Sequence, residues 1–189
     1  RASGRCAGLD VSGDTSGSRF EYRVFSADLE AMRDALAATF APGATETSEH
    51  LYLVGARLDR NVKLRDDAID RKALREEHRG LERWEPLAPV GFPVEGAWVR
   101  ESLSESLGLP ALDAPRELYP RKALLAEVVA RAAGVRATHV HKRRERFSIR
   151  DVRAEFARLR VDGSPHQTVA VESADPEAAL RLARRLGLD

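Results

Sequence analysis

Hydrophobic and polar residues alternate from Arg19 onward, with Phe20, Tyr22 and Val24 on one side and Arg19, Glu21 and Arg23 on the other. That period of two predicts a β-strand with two unlike faces. A helical spacing follows in Leu29, Met32, Leu36 and Phe40, with Ser26 as the expected N-cap and Pro42-Gly43 as the stop. Short strand-like pieces are then predicted over 51–54, 62–65, 68–74 and 81–85, reversed at Asp66-Asp67 and Arg79-Gly80. Between Val94 and Ala133 the period turns helical. Trp98, Leu103 and Leu107 mark one segment, Leu124, Leu125, Val128, Val129 and Ala132 another, and Gly108, Pro110 and Pro115 separate them.

Strand character returns over 135–149, 152–161 and 166–172, with Asp162-Gly163 as a hairpin signal. A last helix opens at Asp175 and Pro176, carries Leu180, Ala183 and Leu186 on one face, and stops at Gly187. The expected fold class is α+β. Strands whose facing side chains are charged cannot stack as a dry sandwich, because unpaired buried charge costs several kcal/mol per ion. They can close around water and a ligand, so the pattern predicts an antiparallel β-barrel, or tunnel, of about eight strands with helices packed outside.

The chain has 189 residues, 43% hydrophobic and 32% charged, a globular balance that predicts one domain over 19–189. Residues 1–18, rich in Gly, Ser and Asp, read as a flexible leader. No apolar run approaches the roughly 20 residues that span a bilayer as a helix, so no membrane partner is expected. A single cysteine, Cys6, cannot form an internal disulfide, which fits a reducing, cytoplasmic setting. The preference for Arg over Lys with abundant Ala and Leu fits a bacterial gene of high GC content. A net charge of only +1 argues against a dedicated duplex-DNA binder and requires any anion site to be local.

Phasing each strand by its apolar partners gives the inward candidates. They are Arg19, Glu21 and Arg23, then Lys63 and Arg65, Asp70 and Lys72, Arg83 and Glu85, then Lys142, Arg144 and Arg146, and finally Glu155 and Glu172. Like charges facing each other across strands are destabilising unless something neutralises them. A polyanion would do so, since Arg forks fit phosphate oxygens bidentately, Lys acts as a point charge, and carboxylates can hold a divalent ion bridging those oxygens. On any one strand alternating charge more often marks a solvated face; its repetition in the same phase over five or six strands favours a shared anion site.

The order of these pieces resembles the CYTH or triphosphate tunnel metalloenzyme superfamily, with its N-terminal Glu-x-Glu-x-Lys strand, basic-x-basic strands and late acidic strands. The resemblance runs from Arg19 to Leu188. Arg19-Phe20-Glu21-Tyr22-Arg23 falls at the N-terminal motif, Lys63-Leu64-Arg65 and Lys72 at the early basic positions, and Arg83-Trp84-Glu85 at the strand pairing a base with an acid. Lys142-Arg143-Arg144 resembles the Lys-x-Arg strand, followed by Glu155 and Val171-Glu172. Members hydrolyse tripolyphosphate, polyphosphate, thiamine triphosphate or RNA 5′-triphosphates, or cyclise ATP, with Mg²⁺ or Mn²⁺. The resemblance therefore implies a small phosphorylated anion as partner, such as tripolyphosphate, polyphosphate or a nucleoside triphosphate, with an RNA 5′-end as a less favoured one.

Under that resemblance Glu21, Glu155 and Glu172 would hold the metal. Arg23, Lys63, Arg65, Arg83, Lys142, Arg144 and Arg146 would grip phosphates, and Lys72, Glu155 and Glu172 would serve the chemistry. Three departures stand out: Arg19 replaces the first Glu of the N-terminal motif, Arg23 its Lys, and Ala170 a late acid. A basic cradle can bind phosphates even where chemistry is slow, because phosphoryl transfer asks mainly for positioning and charge stabilisation. The expectation is thus a metal-dependent triphosphatase or polyphosphatase, with a non-catalytic phosphate sensor on the same scaffold as the alternative.

Other motifs point elsewhere less well. His139-x-His141 lacks a third ligand for zinc. His50, His78 and His166 fall near expected strand ends and read as exposed. The 142–146 basic run could mark a nucleic-acid patch, and Tyr22, Tyr52, Trp84 and Phe147 could stack on single-stranded RNA, but their strand spacing favours core packing for these aromatics. Walker, dinucleotide, Gly-x-Ser-x-Gly and Cys-x-x-Cys motifs are missing.

Overall fold

A computed structural model describes residues 18–149 and 151–188. The leader expected over 1–18 lies outside the described residues except for Ser18. Strand β1 (Arg19–Ser26) is followed by helix α1 (Glu30–Thr39) and by β2 (Ala41–Val54), β3 (Arg60–Leu64), β4 (Ala68–His78) and β5 (Leu81–Gly91). Two-residue strands β6 (Val94–Glu95) and β7 (Leu118–Tyr119) bracket helix α2 (residues 96–107), and helix α3 spans residues 121–131. Then come β8 (Arg136–Ile149), β9 (Val152–Val161), β10 (Ser164–Ser173) and helix α4 (Pro176–Arg185).

Eight strands close into one barrel in the order β1-β10-β9-β8-β2-β3-β4-β5, every neighbouring pair antiparallel. The expected α+β barrel is therefore the observed one. Its outer surface is the apolar one. Leu51, Leu53, Val62, Leu64 and Ile69 pack against Val99, Leu103 and Leu107 of α2 and Leu124 and Val128 of α3. Around the other half, Leu81, Phe147, Phe156, Val169 and Val171 meet Leu36 of α1 and Leu180 and Ala183 of α4. Strand residues at period two and helix residues at period 3.6 thus supply matching apolar faces, and each side chain buried there is worth about 1.5–3 kcal/mol of transfer free energy. Hydrophobic burial lies outside the barrel wall, which leaves the other strand face to point into the lumen.

The turn chemistry explains the hairpins. Arg79-Gly80 and Asp162-Gly163 both hold consecutive positive φ angles, 51° and 82°, then 48° and 88°. That is the geometry of the turn whose twist matches a two-residue β-hairpin, and Gly tolerates it at no steric cost. Asp175 caps α4 as expected, its Oδ1 accepting the Glu177 N–H at 2.9 Å.

Several boundaries differ from the sequence expectation. Ser26 ends β1 instead of capping α1, where Asp28 Oδ1 accepts the Glu30 N–H at 3.0 Å. Pro42 and Gly43 lie inside β2, at a register shift between Pro42 and Thr45 where β2 leaves regular pairing with β8. Strands β2, β4 and β5 run well beyond their apolar cores, because barrel neighbours supply backbone partners to polar segments that have no strand signature of their own. Among the described residues no helix is long and apolar enough to cross a membrane.

Candidate functional site in the barrel lumen

Cross-strand register determines which charges meet. On β1, Phe20, Tyr22 and Val24 pack into the outer core, so Arg19, Glu21 and Arg23 occupy the lumenal face. Glu21 lies opposite Glu172 of β10, and Arg23 opposite Ala170, which in turn faces Glu155 of β9. Glu155 sits across from Arg146 on β8, with Arg144 and Lys142 next on that face. Glu46, Ser48, His50 and Tyr52 continue the wall on β2, Lys63 on β3 faces Tyr52, and Asp70 on β4 faces Lys63. Lys72, two residues on, shares that face, and its charge reaches both Glu21 and Lys63.

Glu155 is the hub. Its Oε1 accepts from Lys142 Nζ at 2.5 Å and from Arg23 Nη1 at 3.3 Å, and its Oε2 accepts from Arg144 Nη1 at 3.4 Å. Burial alone would push the Glu155 carboxyl up, but Lys142 and Arg23 hold it below the usual carboxylate range. Burial lowers the Lys142 ammonium, opposed by Glu155. Arg23 also clasps Glu21 with Nε at 2.6 Å and Nη2 at 3.1 Å, and reaches Thr168 Oγ1 at 3.3 Å. Arg144 forks onto Glu46, while Lys63 Nζ stands 3.4 Å from Asp70 Oδ2. Arg65 at 52% exposure and Arg146 at 45% stand at the edges of this constellation, paired with Asp70 and Glu46.

Glu21 and Glu172 behave as one unit. Burial would raise both, and the Arg23 guanidinium instead holds Glu21 at about 2. Glu172 is pushed above the usual range by burial and by the neighbouring Glu21 charge. Two buried carboxyls directly opposite each other on neighbouring strands cannot both ionise freely, so they titrate as a pair.

Arg83 and Glu85 are not brought into the lumen. Arg83 lies opposite Phe20, stacks 5.8 Å from that ring's centroid, and donates to Glu76 at 3.0 Å on the outer side. Glu85 pairs with Arg75. The reason is the phase of β5, pinned by buried Leu81 in the outer core and by the pairing of Arg83 with the outward Phe20 of β1. Glu82 and Trp84 occupy the lumenal positions instead, opposite Glu21 and Arg19, with the Trp84 Nε1 donating to Glu82 Oε2 at 2.8 Å. Sequence reasoning also missed Glu46, Thr168 and His50 and assigned Tyr52 and Trp84 to the core. Tyr22 and Phe147 do pack there. The alternation of Glu46, Ser48 and His50 against Leu51 and Leu53 was the available signal.

Fold and lumen together define a closed tunnel barrel, apolar outside and ionic within, the fold of the CYTH or triphosphate tunnel proteins. The structure is similar to a candidate adenylate cyclase from Bacillus halodurans, at TM-score 0.50 and 10% identity over 92% of each chain. It is also similar to the PH1819 protein of Pyrococcus horikoshii, at TM-score 0.50 and 14% identity over 89% of this chain and 88% of that one. A mimivirus capping enzyme triphosphatase aligns over 93% of this chain and 92% of its own, at 10% identity and TM-score 0.46. At these identities the likeness is one of fold. No protein-family profile matches the chain, and no curated protein matches it in sequence.

The donor set decides which metal the site could take. Among the described residues no group of three His, Cys, Asp or Glu side chains is arranged to hold an ion. Glu155 is engaged by three cations and Glu82 by Trp84. Glu21 is clasped by Arg23 at both oxygens, and Glu172 beside it is the less engaged carboxyl of that pair. Mg²⁺ keeps several waters and needs only one or two carboxylates beside substrate phosphates, so these residues fit one such ion arriving with its ligand.

Proposed function

We propose that the chain binds a triphosphate- or polyphosphate-type anion inside the barrel and hydrolyses it with Mg²⁺ or Mn²⁺. The observation that carries this reading is the convergence of Arg23, Lys142 and Arg144 on Glu155, with Lys63 beside Asp70 on the same lumenal face. In the absence of ligand the charges of these cations are met by Glu21, Glu155, Glu46 and Asp70. Phosphate oxygens can replace those carboxylates, bidentately at Arg144 and as single contacts at Arg23 Nη1 and the lysines. Arg65 and Arg146 extend the same grip toward the edges, and Lys72 steadies the leaving oxygens.

A divalent ion held by Glu21 and Glu172 would polarise the phosphoryl oxygens and offset their charge. The residues of the chain supply the rest: Arg23 fixes Glu21 in its ionised form, and the cationic wall holds the phosphates in line. The second reading, binding without turnover, is favoured by the position of Arg19 and Ala170 and by the small carboxylate count.

Phosphate release from tripolyphosphate separates the two. Hydrolysis predicts Mg²⁺- or Mn²⁺-dependent release that Glu172→Ala abolishes, and binding without turnover predicts a thermal shift with no release. A ligand at 100 times its Kd adds about 2.7 kcal/mol of stability, so the lack of any shift at millimolar tripolyphosphate overturns both.

A further inference from the structure

His50 stands apart from the other four histidines. Its neighbours along β2, Leu51 and Leu53, belong to the outer core, so its own side chain takes the lumenal face, opposite Val140 of β8. The ring is half-buried, and Nδ1 is buried with no hydrogen-bond partner. A buried polar nitrogen left without a partner costs about 1–3 kcal/mol, a cost that a ligand oxygen in the lumen would relieve.

The groups facing it are predominantly basic. Lys63 and Arg65 come from β3 and its end, Arg144 from β8, and Asp70 from β4 is the one opposing acid. Tyr52 follows it on the same face of β2, Lys142 lies beyond Val140 on β8, and Glu46 is bound up with Arg144. Burial first, then Lys63 and Arg65, lower the His50 imidazole below its ordinary value, so at neutral pH the ring is uncharged.

We propose that His50 is a proton-coupled ligand of the tunnel's phosphate anion, gaining a proton as the anion binds and donating a hydrogen bond from the buried Nδ1 to a phosphate oxygen. The proposal rests on the anion-binding reading above. A polyanion seated on Lys63, Arg65 and Arg144 cancels the charges that keep His50 neutral and adds negative charge of its own, so the imidazolium becomes the favoured form. Binding then takes up one proton in the window between the depressed free value and the raised bound one. Affinity falls as pH rises through that window, by about tenfold for each unit by which binding raises the imidazole.

The test is calorimetric titration of the full chain with tripolyphosphate, in EDTA and again with Mg²⁺. Each titration is run in two buffers of different ionisation enthalpy, at several values of pH between about 5 and 8. Tripolyphosphate itself titrates in this range, so the readout is the difference between the native chain and His50→Gln. We expect the native chain to take up more protons than His50→Gln, and its affinity to fall about tenfold more steeply across the range. Equal proton uptake and parallel pH profiles, with tight binding in both, overturn the role of His50 and leave the anion site standing. No binding by the native chain under any condition overturns the anion site itself. His50→Asn, which retains a donor near the Nδ1 position without titrating, should restore affinity at high pH and not the proton uptake; restored uptake would sink the proposal.

Discussion

Glu155→Gln removes the one negative charge shared by Arg23, Lys142 and Arg144 while keeping the side chain's shape. Glu155 is 12% exposed and its three partners 22%, 21% and 29%, so water screens the cluster only in part. Breaking a fully buried pair by removing one partner costs about 3–5 kcal/mol, and the residual exposure brings the expected loss to about 2 kcal/mol. For a chain of this length that is a fall in Tm of about 4–8 °C. The cations left behind are the ones proposed to hold phosphate. Tripolyphosphate should therefore stabilise Glu155→Gln more than the native chain, because it no longer has to displace a carboxylate. The assay is thermal unfolding in EDTA, with and without millimolar tripolyphosphate. A variant with unchanged Tm, or one that gains less from the ligand than the native chain, would refute the hub role of Glu155 and the exchange of carboxylate for phosphate.

The carboxyl pair predicts opposite signs for its two members. Glu172 has a folded value above its unfolded one, so it costs stability once pH rises past the ordinary Glu range. Glu172→Gln should accordingly raise Tm at neutral pH while losing metal-dependent turnover, and a lower Tm would contradict the repulsion between the two carboxyls. Glu21, held at about 2 by Arg23, contributes stability that is fully present above the ordinary value of 4.5 and is lost as pH falls toward about 2. Glu21→Gln should flatten the acid limb of a stability-versus-pH curve. On the outer surface, Arg83→Ala should leave tripolyphosphate affinity unchanged and lower stability by less than about 1 kcal/mol, since it loses one exposed ion pair and one cation–π contact, whereas Arg144→Ala should weaken binding at least about tenfold. Ile69→Ala, in the apolar layer outside the wall, should cost about 2–5 kcal/mol with ligand affinity per folded molecule retained.

Much of the barrel could be read from period alone. Phe20, Tyr22 and Val24 on β1, and Val169 and Val171 on β10, are apolar at every second position, so the opposite face had to carry Arg19, Glu21, Arg23 and Glu172, and so many charged faces forced closure around water. The Asp162-Gly163 and Asp175-Pro176 signals act through local backbone sterics and capping, and they held in the structure. What only the tertiary structure decided was where the phase slips. The pairing of β5 with β1, with Leu81 buried outside the wall, turns Glu82 and Trp84 inward and Arg83 and Glu85 outward, and the long polar start of β2 becomes a strand because β8 offers it partners. A register shift of one residue exchanges the two faces of a strand, and no local pattern reveals it when both faces are charged. The site residues likewise lie far apart in sequence, as Arg23 and Glu155 do, so their meeting depends on barrel closure, which long-range hydrogen bonding between strands determines and composition cannot.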